Sequence, residues 1–153
     1  MSLRVIIEDK YKNAVKSKNA NQVNTLRLIK SAIKDKDIAS RSVDKKEGIN
    51  DEQILSLLQS LIKQRKDSID SFKVASREDL IAVEESEIEI ISEFLPKQMD
   101  ENETRVLLNK IIRENNYTTL KDMGKLMNVI KMNFAGSIDM SLAGKIAKTT
   151  LKN

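Results

Sequence analysis

The stretch Ile62-Lys63-Gln64-Arg65-Lys66-Asp67-Ser68-Ile69, continued by Phe72, Arg77, Asp79-Leu80, Glu84, Glu87 and Phe94-Leu95-Pro96-Lys97-Gln98, decides the fold. Ile54, Leu57-Leu58, Leu61-Ile62, Ile69 and Phe72 recur at three- and four-residue steps and predict a helix over 51–74. Leu80, Val83, Ile88, Ile91 and Leu95 predict another over 77–94. Arg65 interrupts the first apolar stripe, and Glu84 and Glu87 interrupt the second. The short Val74–Arg77 connection makes the two helices antiparallel neighbours, which brings Arg65 to the level of Glu84 or Glu87. A guanidinium placed on an inward face needs a carboxylate, and a bidentate pair is geometrically selective. Stranding one member of a buried pair costs roughly 3–5 kcal/mol, so Arg65, Glu84 and Glu87 are expected to form a polar network that fixes helix register. Acid/base catalysis by the same carboxylates lacks the histidine, metal ligands and apolar pocket that would accompany it.

Working outward, Leu3, Ile6-Ile7, Tyr11 and Ala14-Val15 predict a helix over 3–18. Val23, Leu26, Ile29 and Ala32-Ile33 predict another over 21–39, with Asn21 as its cap. Residues 40–50 read as an exposed loop. Asn50 with Gln53 signals the start of the 51–74 helix, and Ser76 with Asp79 the start of the next. Pro96 breaks the helical pattern and marks the only clear boundary, with a junction at 96–100. Beyond it, three helices are expected: 101–115 from Asp100, carrying Val106-Leu107 and Ile111; 119–131 from Thr119; and 140–152 capped by Asp139. Met123, Met127 and Met132 read as core packing. No run alternates as a strand would. The expectation is an all-α protein with two domains: an N-terminal four-helix bundle-like domain over 1–96 and a small three-helix domain over 97–153.

The absences narrow function further. The 153 residues include no His and no Cys. A serine–histidine–aspartate relay, a cysteine nucleophile, a Cys/His zinc site and a carboxylate–histidine di-iron site each lack an essential member. No catalytic residue, metal ligand set or cofactor motif is recognisable. Disulfides are impossible, no signal peptide is visible, and no apolar run approaches the roughly 18 residues of a membrane helix. The expected location is the cytoplasm or an organelle matrix, away from membranes.

The net charge of +4 conceals opposed blocks: residues 1–46 carry +7, residues 76–103 carry −8 and residues 104–153 carry +6. Arg27, Lys30 and Lys34 lie at i, i+3 and i+7 on the second helix, either as an ordinary solvated flank or as contacts to phosphates. Gly136-Ser137 reads as a plain loop, with its backbone N–H groups as an alternative phosphate cradle.

Thr25-Leu26-Arg27-Leu28-Ile29-Lys30-Ser31-Ala32-Ile33-Lys34, the Ile62–Ile69 run, Arg77 with Asp79-Leu80, Glu84 with Glu87, Phe94–Gln98 and Lys121-Asp122-Met123-Gly124-Lys125-Leu126-Met127 occur in order over nearly the whole chain. In these pieces the chain resembles the YqeY family, small proteins related to the C-terminal tail of GatB. GatB is the subunit of the tRNA-dependent amidotransferase that binds tRNA and activates the misacylated amino acid. The resemblance implies a helical N-terminal domain and a compact three-helix C-terminal domain like the GatB tail. It also implies a tRNA-binding or amidotransferase-associated role, with Lys121, Gly124, Lys125, Lys131 and Gly136 as RNA-facing candidates beside Arg27, Lys30 and Lys34. Such families carry the label of carbon–nitrogen ligase with glutamine as amido-N-donor. The sequence contains neither a Gly/Ser-rich glutaminase stretch nor a phosphate loop, so the expectation is a module without catalysis of its own. The alternatives are an amidotransferase-linked activity within a complex, or a helical adaptor that docks a protein partner. Few aromatics are available to stack bases, which favours recognition of shape and phosphate over sequence.

Overall fold

A computed structural model describes residues 2–40 and 48–151. Its elements are helices α1 (Leu3–Lys16), α2 (Ala20–Ala39), α3 (Asp51–Val74), α4 (Glu78–Ser92), α5 (Glu101–Glu114), α6 (Met123–Asn133) and α7 (Met140–Thr150), with a 3-10 turn at Leu120–Asp122. The described residues contain no strand. They divide into two compact units, Met1–Leu95 and Pro96–Asn153.

In the first unit α1 to α4 enclose a core of Ile7, Ala14, Leu26, Ile29, Ile33, Ile54, Leu58, Ile90, Ile91 and Phe94. The positions are three or four residues apart on α2 and α3, seven apart on α1 and adjacent on α4, with Phe94 just beyond its end, so each helix turns one stripe inward. Helix α3 starts on a capping box: Asn50 accepts from the Gln53 N–H, and the Gln53 side chain accepts from the Asn50 N–H, each at 2.9 Å.

Two expected helix starts are corrected. The cap of α2 is Asn19, whose side chain accepts from the Gln22 N–H, while Asn21 lies inside the helix and donates to Ser86 of α4. Ser76 and Asp79 do not cap α4, which has no side-chain cap. Ser76 instead takes φ 55° as the left-handed residue closing α3, with Arg77 N–H donating to Phe72 O at 2.9 Å. Lys18 after α1 and Asn116 after α5 close their helices by the same pattern of bonds. Three helices thus end on left-handed residues that are not glycine, which is why Gly-based punctuation is missing from the sequence.

The loop expected over 40–50 is only partly testable, since 41–47 lie outside the described residues. At its end, however, Ile49 is buried against the first core rather than exposed.

The second unit packs α5, α6 and α7 around Leu108, Ile111, Leu126, Ile130, Ile138, Ala143, Ile146, Ala147 and Leu151. Asp100 and Asp139 cap as expected, whereas Thr119 caps the 3-10 turn, and α6 begins only at Met123 without a side-chain cap. On α5 the core stripe is Thr104–Leu108–Ile111, and Val106 faces out at 68% exposure. Thr104 fits that slot because its hydroxyl donates to Asp100 O at 2.7 Å, which removes the cost of burying it. Of the methionines expected in the core, Met123 and Met127 pack against it, but Met132 is 71% exposed near the end of α6.

Candidate nucleic-acid interface

The short turn after Lys16 makes α1 and α2 an antiparallel hairpin, and their polar side chains meet in rungs. Tyr11 faces Arg27, whose Nη2 donates to the Tyr11 hydroxyl over a long 3.4 Å. One turn further, Glu8 Oε2 lies 2.9 Å from Lys30 Nζ, which also stands 4.1 Å from the centroid of the Tyr11 ring. At the next rung Arg4 would meet Lys34, another cation. Arg4 turns instead to Asp37, donating from Nη1 to Oδ2 at 2.9 Å and from Nη2 to Ile49 O at 2.9 Å. Lys34 is left exposed with no ion pair among the described residues. The expected stripe is therefore uneven: Lys30 is engaged within the protein, Arg27 is loosely held, and Lys34 has no ion pair among the described residues.

In the second unit Lys121, Gly124, Lys125 and Lys131 are all exposed, and the three lysines make no ion pair among the described residues. Lys121 lies on the 3-10 turn that leads into α6, and Lys125 on the first turn of α6 itself. Lys131 lies about a third of a turn round from Lys125, at ~100° per residue, and shares its side with Gly124. Space above Gly124 is open, and a Cβ added there would meet nothing within 4 Å.

Gly136 does not belong to this surface. It is buried, with φ 81°, and its carbonyl accepts from the Gln98 side chain. The Ser137 N–H donates to Phe134 O at 3.0 Å, and Ser137 O accepts from the Met99 N–H at 2.8 Å. With the glycine buried and the Ser137 N–H already bonded, the loop is a structural tie and not the phosphate cradle the sequence allowed.

Of the inward charges on α3 and α4, Arg65 and Glu87 meet as an ion pair, Nε to Oε2 at 2.7 Å, with side chains 13% and 20% exposed. Arg65 Nη1 also donates to Leu61 O at 3.0 Å, one turn back on its own helix. Glu84 is half-buried and takes no part in an ion pair among the described residues. Among the described residues the expected network therefore has two charged members instead of three.

Two features were missed in the sequence. The first is the tie between Arg4, Asp37 and the chain at Gly48-Ile49, where Asp37 also accepts from the Ile49 N–H at 2.8 Å. The hydrogen bonds that Arg4 donates to Asp37 hold its guanidinium more firmly protonated than usual. Gly48 has φ +80°, and a Cβ there would come within 2.8 Å of Arg4 Nη2 and nearer still to Asp37. A lone glycine in the first hundred residues was the available signal. The second is Tyr11, whose core spacing concealed a hydroxyl and ring that both face cations.

An all-helical chain of two units, with exposed basic helix flanks and an ion-paired α3–α4 hairpin, is the class defined by this geometry. Residues 4–151 match the family model described as Yqey-like protein, and the chain belongs to that family. It is similar to altered inheritance of mitochondria protein 41, mitochondrial, of Lachancea thermotolerans, 34% identical over 120 residues that cover 74% of this chain and 62% of that protein. The protein of the same name from Saccharomyces cerevisiae is 31% identical over 90 residues, 59% of this chain and 46% of that one. An uncharacterised protein of Schizosaccharomyces pombe is 32% identical over 96 residues, 63% of this chain and 74% of its own. The chain thus spans about half to three-fifths of the length of the mitochondrial relatives.

Proposed function

We propose that this protein is a non-catalytic module that binds tRNA or accompanies a tRNA amidotransferase, touching the backbone of a structured RNA through α1–α2 and the lysines of the second unit. In this reading α1–α4 form a bundle-like domain and α5–α7 a domain like the GatB tail. The observation that carries it is the state of the lysines that the charge spacing and the family resemblance single out. Lys34, Lys121, Lys125 and Lys131 are exposed and make no ion pair among the described residues, so they are available to phosphate oxygens. The mitochondrial names of two relatives favour an organelle matrix over the cytoplasm as the place of action.

The test is affinity for labelled total tRNA across a salt series. Affinity should fall steeply with salt. Lys34→Ala or Lys125→Ala should each weaken binding and flatten the logarithmic slope by about 0.7–0.9 for each phosphate no longer neutralised. Absence of binding at low salt, or binding indifferent to salt, overturns the reading. A docking adaptor is the second reading, favoured by Glu78, Glu85 and Glu89, which are exposed along α4 with no ion pair among the described residues. Recovery of a protein partner after nuclease treatment, with no RNA affinity, would select it.

A further inference from the structure

We propose that Tyr11, Arg27 and Lys30 form a phosphate-binding site across the α1–α2 hairpin, occupied in the free protein by the carboxylate of Glu8, which an incoming phosphate displaces. The inference rests on the reading of this face as one that binds a polyanion, and it adds the residue that recognises and the residue that competes.

Three donors from two facing helices converge here. Lys30 Nζ is already 2.9 Å from an anionic oxygen, that of Glu8, so the place where an anion sits is marked by the protein itself. Arg27 has five N–H donors and, among the described residues, uses one, weakly, on the Tyr11 hydroxyl. That hydroxyl accepts from Arg27 and keeps its own proton, which it can donate to a phosphate oxygen. The Tyr11 ring centroid lies 4.1 Å from Lys30 Nζ, a cation–π contact that holds the ammonium over the ring bearing the hydroxyl.

Glu8 is the natural occupant to be displaced. The Lys30 and Glu8 side chains are 35% and 42% exposed, and an ion pair that open to solvent contributes little. A phosphate brings more charge and more acceptor oxygens than one carboxylate, and it engages Arg27 and Tyr11 as well as Lys30. Glu8 therefore weakens the site for phosphate without closing it, and singly charged carboxylate ligands gain no advantage over Glu8 itself.

The chain has two tyrosines and no tryptophan. In a Tyr117→Phe background Tyr11 is the only source of tyrosine emission, so its fluorescence reports the site directly. Tripolyphosphate should change that emission saturably. Glu8→Gln should tighten the binding about 3- to 10-fold, and Arg27→Ala should weaken it at least as much. Glu89→Gln on α4 removes the same charge elsewhere and should change it less than twofold. Tyr11→Phe, which keeps the ring, should weaken labelled tRNA about threefold or more.

No saturable change with tripolyphosphate overturns the site. Equal tightening by Glu8→Gln and Glu89→Gln reduces Glu8 to a contribution to net charge and overturns the displacement. Binding of tRNA that responds to Lys125→Ala but not to Tyr11→Phe or Glu8→Gln overturns this inference and leaves the broader reading standing. Tripolyphosphate bound at Tyr11 with no affinity for tRNA does the reverse.

Discussion

Replacing Arg65 and Glu87 by methionine, singly and together, measures what the α3–α4 pair contributes. Glu87→Met leaves the Arg65 guanidinium, on a side chain 13% exposed in the wild type, with the Leu61 carbonyl, 3.0 Å away, as its one remaining partner among the described residues. A fully buried charge stranded in this way costs roughly 3–5 kcal/mol. Here both side chains retain some access to water, so about 2 kcal/mol is expected for Glu87→Met and about the same for Arg65→Met. The double variant leaves no charge stranded and replaces the pair with packed methylenes, so it should lose no more than about 1–2 kcal/mol. The coupling energy is then about 2–3 kcal/mol. Urea unfolding followed by Tyr11 emission in the Tyr117→Phe background tracks the first unit alone. Singles that add to give the double, with coupling below about 0.5 kcal/mol, would refute the claim that this pair holds the hairpin in register.

Gly48→Ala forces a Cβ into the Arg4–Asp37 contact at φ +80°, and should destabilise the first unit by about 2–4 kcal/mol, seen as a melting point lower by roughly 10 °C or more. Gly144→Ala is the opposite case: it sits within α7 with nothing within 4 Å of an added Cβ, and should stabilise the second unit by about 0.5–1 kcal/mol in thermal melts. Asp122 accepts from the Thr118 and Thr119 N–H groups, which hold its carboxyl below the ordinary carboxylate range. A lowered folded pKa stabilises fully above the unfolded value of about 4 and is lost as pH falls through the folded one. Melting of the wild type should therefore decline more steeply below pH 4 than that of Asp122→Asn.

Much of the helical content was legible, because Leu and Ile at three- and four-residue steps leave no other way to hide an apolar face, and Asn50–Gln53 and Asp139 announce their helices by cap chemistry. What misled was competition for the same residue. Ser76 is a sound cap type, but α3 needed a left-handed residue there to close its last turn. Val106 is more apolar than Thr104, yet the i, i+4, i+7 stripe to Leu108 and Ile111 places the threonine inside. Among the candidate site residues, Lys34 is exposed as its charge spacing allowed and Lys125 as the family resemblance implied, whereas Lys30 is engaged by Glu8 on a different helix. Gly136 is tied to a segment nearly forty residues earlier in the chain. Interactions of that span leave no periodic trace, and so the Arg4–Asp37 tie and the double role of Tyr11 could not be seen.

The tie at Gly136-Ser137 also bears on how the chain can be dissected. Asp100 caps α5 and looks like the natural first residue of a C-terminal fragment, but a fragment begun there discards Gln98 and Met99. It would leave the Ser137 and Gly136 carbonyls without their donors, and its weakness would be an artefact of the cut. Begun at Pro96, the fragment keeps its strap.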